Sequence, residues 1–377
     1  MSTPSGFIRR GGLVILAVVL AVGVVAVVAE PIGLPGPSVL GALGLADDGE
    51  FDPSARLVPC RPDPAGVRTP RSPAPGPGRW EREGSSPLAR DELDAAVIGD
   101  RVFLVGGHAQ FAERRPQRRW SLEEVLAFDS KRGRYAAAPS LPEPLDHAAA
   151  VAHEGNLYVV GGYSNESTSN RLWRYSPATR RWTRLAPMGQ ARGGLDAAVI
   201  GDKIYAVGGK GPGFPDLDTD PYATLEVFDI PTGRWTRGPD MPTARHHLGV
   251  AAVDAKLYAV GGREADDLSL GAVEAFDPAT GVWETLADLP QHVGSLGVTA
   301  GENEVFATGG GDDSEGWVTP ATWAYSPERR TWRRMPDLRQ ARHGHTAAVV
   351  GRRLWVFAGA PCDGYGGTAS VESLTLR

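Results

Sequence analysis

The sequence predicts an all-β protein: a ring of six four-stranded blades closed by an N-terminal strand, with a transmembrane helix and a proline-rich linker ahead of it. Three observations carry this. An apolar strand ending in a glycine pair recurs six times; further marked columns follow it at fixed spacing; and each end of the repeat region holds the part of a blade that the other end lacks.

The bulk composition is that of a globular chain, with 42% hydrophobic and 22% charged residues among 377. A net charge of −6 excludes the broad basic field that nucleic-acid binding needs. Arginine far outnumbers lysine, which occurs at Lys131, Lys203, Lys210 and Lys256 alone, a skew associated with GC-rich bacterial genomes.

Residues 1–30 read as a signal anchor. Arg9 and Arg10 precede an apolar run from Gly11 to Ala29, which at ~1.5 Å per residue spans about 28 Å, close to one hydrocarbon core. The paired arginines favour an inside N-terminus, which places the rest outside the cytoplasm. The expected location is therefore the cell membrane, single-pass; the alternative is secretion after cleavage near Val27 and Ala29. Residues 31–76 are rich in Pro and Gly and carry no sustained periodicity, as a semi-stiff linker does.

From residue 77 the repeats take over. The strand reads VFLVGG, LYVVGG, IYAVGG, LYAVGG, VFATGG and LWVFAG, with its first Gly, or the Ala replacing it, at Gly106, Gly161, Gly208, Gly261, Gly309 and Ala358. A second strand ends in an aromatic at Phe128, Tyr175, Phe228, Phe276 and Tyr325, and seven residues later stands Tyr135, Trp182, Trp235, Trp283 or Trp332. Ten residues on comes a column of Leu145, Arg192, Arg245, Val293 and Arg342, and sixteen further the next glycine pair. Length varies only between the glycine pair and the next aromatic, from 14 to 22 residues. Fixed spacing implies short antiparallel strands a, b, c and d joined by tight turns such as GDK and DPATGVW. Such small sheets must stack radially to bury both faces.

PGRWER at the end of the linker completes the count. Trp80 precedes Arg90 by ten residues, and Arg90 precedes Gly106 by sixteen, so Trp80 belongs to a strand d that has no strand c before it. At the other end SVESLTL supplies a strand c with no strand d after it. The N-terminal strand therefore closes the last blade and removes the free edges.

The glycine pair after LYxV, the DPxTGxW turn and the period of about 50 residues resemble Kelch repeats, and the resemblance covers residues 79–377. Blade 1 departs with Tyr135 for Trp, blade 5 with Val293 for Arg, and blade 6 with one Gly lost.

Antiparallel alternation puts the variable b–c loops on one rim with the d–a connections, the usual place for binding on a rigid scaffold. The ligand-binding face is expected to include Arg90, Asp146, His147, Arg192, Arg245, His246, His247, Arg342 and His343. Arg presents a planar fork to carboxylates, although as part of the repeat it equally suits bonding to backbone or to neighbouring blades. The charges of the b–c loops differ, ERRPQRRW in blade 1 against PDLDTDP, READD and GDDSEG in blades 3 to 5, so the rim should be electrostatically lopsided. Cys60 and Cys362 are expected to form a disulfide outside the cytoplasm.

No catalytic residue, metal ligand or cofactor is assigned. The expected function is a membrane-anchored binding module that offers this face to a protein or an acidic glycan, with no role for nucleic acid. The alternative is a sugar-modifying enzyme, because some six-bladed Kelch proteins resemble sialic acid mutarotases, which act on an acidic sugar at the channel mouth. Copper-radical chemistry like that of galactose oxidase is disfavoured, since that family is seven-bladed.

Overall fold

The structure is a computed structural model that describes residues 66–70, 73–109, 120–165, 167–211, 219–301, 303–362 and 366–376. Six four-stranded antiparallel sheets form the ring. Blade 3 typifies them, with strands a to d at Asp196–Ile200, Lys203–Val207, Leu225–Asp229 and Arg234–Arg237. The turns follow from their residues: Asp129, Asp229 and Asp277 end strand c, and each carboxylate accepts backbone N–H groups of the turn that follows.

Blade 6 is completed as the sequence predicts. Glu81–Arg90 pairs antiparallel with Thr368–Thr375, in register at Glu81 with Ser373 and at Arg82 with Glu372. Trp80 is 1% exposed and its indole N–H donates to the Pro336 carbonyl at 2.9 Å. Trp182, Trp235, Trp283 and Trp332 likewise donate to main-chain carbonyls just after strand d of the preceding blade. The Trp column is thus an inter-blade tie that satisfies the ring's one donor, with the ring fully buried at Trp80 and half-buried in the other four.

The glycine pair has an equally specific cause. In every blade the second residue donates its N–H to the carbonyl of the arginine column of the next blade, at 2.9–3.0 Å. A Cβ on Gly208 would lie 2.6 Å from that carbonyl oxygen of Arg245, and the backbone is left-handed at φ 66°. Ala358 holds the same position in blade 6 at φ 62°.

The inner strands a stand side by side around the axis, blade 1 next to blade 2 and so on until blade 6 meets blade 1. Where the six strands converge, alanines such as Ala96, Ala198 and Ala348 alternate with valines such as Val97, Val199 and Val349 along a channel of about 310 Å³.

Residues 66–70 and 73–76, expected as part of the semi-stiff linker, are docked on blade 5. Val67 bridges Val318 in its b–c loop, the Arg68 guanidinium lies 5.2 Å from the Trp317 ring, and Arg334 donates to the Pro70 carbonyl at 3.0 Å. The physical reason is that Trp317 and Trp323 offer flat faces to guanidinium groups on the outer edge of that blade. Cys362 is disulfide-bonded; Cys60 lies outside the described residues, as do the anchor and most of the linker. Among the described residues no helix is long and apolar enough to cross a membrane.

Candidate functional site

The b–c loops and d–a connections do share one rim. The residue after the arginine column bridges the residue after the glycine pair in all six blades: Asp91 with His108, Asp146 with Tyr163, Gly193 with Lys210, His246 with Arg263, Gly294 with Gly311 and His343 with Ala360.

The arginine column itself is a correction. Arg90, Arg192, Arg245 and Arg342 are 0% exposed, so none presents a fork to a ligand. Each clamps strands b and c of its own blade from within. Arg192 donates to the carbonyls of Gly208 and Thr224 at 3.0 and 2.9 Å and pairs with Glu226 at 3.3 Å. Arg245 pairs with Glu274 at 2.6 Å, and Arg342 with Glu372. Burial drives the Arg90 and Arg192 guanidinium groups down to about 10, against neighbouring carboxylates that hold them up. Where the column is apolar the carboxylate is gone too: Leu145 in blade 2 packs in one cluster with Trp173, and Val293 in blade 5 with Trp323.

The next two positions build the site. Two residues beyond the arginine column stand Glu92, His147, Gly194, His247, Ser295 and Gly344, all left-handed with φ between 49° and 62°. Their backbones close a ring around the channel mouth. Each N–H donates to the carbonyl of the same position in the preceding blade, from Glu92 on Gly344 at 2.6 Å round to Gly344 on Ser295 at 2.8 Å. Glycine suits this conformation, and blades 3 and 6 have it. Blades 1, 2 and 4 instead carry an acid and two imidazoles at a conformation that costs a side chain roughly 1–2 kcal/mol.

These side chains converge on a throat of about 70 Å³ lined by Glu92, His147, His247, His345, Asp94 and Asp196. His147 Nδ1 lies 2.5 Å from Asp146 Oδ1, and its Nε2 lies 3.3 Å from Glu92 Oε2. Asp146 Oδ2 meets His108 Nε2 at 3.0 Å and accepts from the Ser121 hydroxyl at 2.5 Å. His246 and His247 face each other through Nδ1, and His246 Nε2 lies 3.1 Å from Asp267. Arg263 reaches Ser295 at 3.2 Å and Asp313 at 2.8 Å.

Burial and charge split the titrations. Burial would lower His108, but Asp146 and Asp91 hold it up at about 9, and Asp146 is held well below the usual carboxylate range against its own burial by His108 and His147. Burial pushes His247 well down, helped by Arg263 and His246, and lowers His246 as well. Beneath the ring Asp94 is raised to about 6 by burial, and Asp196 well above its ordinary value by burial and by Asp94. Asp91, Glu92 and Asp146 thus gather with His108 at blades 1 and 2, while Lys210 and Arg263 stand in blades 3 and 4 with Asp267 and Asp313 beside them. Charged groups held in differing protonation states around one concavity are what a polar ligand site requires.

Of the expected face, Asp146, His147, His246, His247 and His343 lie at this mouth. Asp91, Glu92, His108, Lys210 and Arg263 join them without having been singled out. The signals were present: Asp91 stands beside the arginine column, His108, Lys210 and Arg263 one residue past a glycine pair, and Glu92 replaces a glycine of the repeat.

Models of the KLHDC2/KLHL20/DRC7 Kelch-repeats domain and of the Kelch motif match residues 78–209 and residues 191–242 and 244–290. The chain belongs to the Kelch-repeat family. Its similarities among characterised sequences include Kelch-like protein terF of Aspergillus terreus, 29% identical over 52% of this chain and 45% of that protein. Kelch repeat and BTB domain-containing protein 12 of Danio rerio is 29% identical over 49% and 31%, and alpha-scruin of Limulus polyphemus 26% over 50% and 21%. The Kelch chain thus spans less than half the length of these relatives. Among solved structures the one titled "Structure of YjhT" superposes with a TM-score of 0.67 at 17% identity, over 78% of this chain and 97% of that one, a likeness of fold.

Proposed function

We propose that this Kelch propeller is a binding module that offers its b–c/d–a face to a protein partner through the charged inner ring. The observation that carries the reading is the ring of left-handed positions, where Glu92, His147 and His247 replace the glycine that blades 3 and 6 retain. Strain of this kind persists where side chains are selected for something other than stability. A mouth that carries paired charges of both signs suits a partner segment of mixed charge. Among the described residues the large exposed apolar side chains are Leu268 and Val282 only, so recognition is polar. Residues 11–29 would hold the propeller at a membrane, outside the cytoplasm. A Cys60–Cys362 bridge would pin the linker to the same face that Val67 already touches.

The hydrogen-bonded chain from Ser121 and His108 through Asp146 and His147 to Glu92 favours a second reading, a sugar-modifying enzyme working on an acidic glycan at the channel mouth. Crosslinking with mass spectrometry in native membranes separates the two. A protein crosslinked through the b–c loops, and lost in a Glu92→Gln, Arg263→Ala variant, supports the binding module. No protein crosslink from that face refutes it and puts sugar turnover to the test.

A further inference from the structure

Three side chains of the strained ring, Glu92, His147 and His247, bring one ligand atom each to within 4.8 Å of one another. They come from blades 1, 2 and 4, far apart in sequence, and each stands at a backbone conformation suited to glycine, at φ 49°, 51° and 53°. Two nitrogens and one oxygen bound to a single tetrahedral zinc at ~2.0–2.1 Å would lie about 3.3–3.4 Å apart. His147 Nε2 and Glu92 Oε2 are 3.3 Å apart.

The surroundings orient the donors as a metal site does. The other nitrogen of His147 is engaged by Asp146 at 2.5 Å, which leaves Nε2 facing Glu92. Asp146 is itself fixed through its second oxygen by His108 and Ser121 at 3.0 and 2.5 Å. A carboxylate behind a histidine in this way sets the tautomer and strengthens the ligand. The throat holds about 70 Å³ of space beside these groups, room for an ion and water. Imidazole and carboxylate without thiolate suit zinc and its neighbours in the first transition row.

We propose that the mouth of the channel binds one Zn²⁺ through Glu92, His147 and His247, with Asp146 as the positioning residue and the fourth position open to water or to a donor atom of a ligand. This site stands apart from the identity of any protein partner.

The ring also supplies variants that remove ligands without threatening the fold. His147→Gly and His247→Gly install the residue that the same position has in blades 3 and 6. The test is calorimetric titration of ZnCl₂ into the chelator-treated, dialysed full chain, with thermal melting in parallel. The expected result is one ion per chain, a higher Tm with zinc, and at least a 100-fold loss of affinity in each glycine variant with the fold retained. Asp146→Asn should weaken binding about 10–100-fold. His153→Ala, in the separate group of His153, Glu154 and Asp202 on the rim of the a–b turns, should leave it unchanged. Absence of stoichiometric binding, or full affinity in the glycine variants, or loss only in His153→Ala, overturns the proposal. If a glycine variant fails to fold, Glu92→Gln decides by the same criterion.

Discussion

The arginine column and the ring two residues beyond it lie side by side on the same connections, yet they follow opposite rules. The arginines repeat in four blades, are wholly buried, and aim their terminal N–H groups mainly at carbonyls and carboxylates of their own blade. The ring positions do not repeat in chemistry, only in backbone: all six share a left-handed φ and a closed circle of hydrogen bonds, while the side chains run from none to Glu and His. In a repeat protein, chemistry that recurs serves the unit, and chemistry that breaks the pattern at a structural cost marks the site.

The largest effect should come from the arginines. Arg192→Ala leaves the buried Glu226 held by the N–H groups of Gly189 and Gln190 but without its cation, and strips the carbonyls of Gly208 and Thr224. Chemical denaturation should show a loss of about 3–5 kcal/mol. A milder result would move the arginines out of the structural class. Next comes a swap that blades 2 and 5 already contain. Arg245→Leu with Glu274→Trp recreates the Leu145–Trp173 and Val293–Trp323 arrangement. The double variant should recover more than half of the stability that Arg245→Ala loses, since apolar packing can replace a buried ion pair. Equal losses in both would break the analogy between blades.

At the ring the sign reverses. His247→Gly should unfold no more easily than the parent, and is expected to gain up to about 1 kcal/mol from relief of the left-handed backbone. The smallest effect is a pH dependence. His345 is buried, and burial together with Arg342 and His343 drives its titration well below 6.5. A histidine kept neutral in the fold and free to charge when unfolded contributes stability above its unfolded value of about 6.5, lost as pH falls below it. Relative to the parent, His345→Gln should therefore hold its denaturation midpoint better as pH falls from 7.5 to 5. His108, held up at about 9 mainly by Asp146 against its burial, works the other way, and its contribution fades as pH rises from about 6.5 through 9.

Most of the fold was legible in the sequence because its determinants are local and repeated: an Asp that ends strand c, a Trp that ties to the preceding blade, a glycine pair beneath a carbonyl. Even the closure by Glu81–Arg90 followed from counting residues from Trp80. The direction of the arginines was not legible. They stand in an irregular connection, where no period of two or of 3.6 tells inside from outside, and a guanidinium among buried carbonyls and one facing a ligand have the same spacing. Glu92 and His108 escaped for a related reason. Their meaning lies in contacts across blades, Glu92 with His147 and His108 with Asp146, which sequence spacing within a blade does not encode. For Glu92 the local sign was the glycine of blades 3 and 6 at the same position, and it becomes informative only with the backbone angle in hand. Residues 66–70 and 73–76 packed on blade 5 for the same kind of cause, since a proline-rich stretch carries no pattern that names its docking partner.

The separation of the two columns is tested most directly by measuring the unfolding free energy of Arg192→Ala and His247→Gly side by side in urea at neutral pH. The account predicts a loss of about 3–5 kcal/mol for the first and none for the second. A stable Arg192→Ala, or a His247→Gly as damaged as it, would contradict the division of this face into a buried scaffold and a strained ring free to bind.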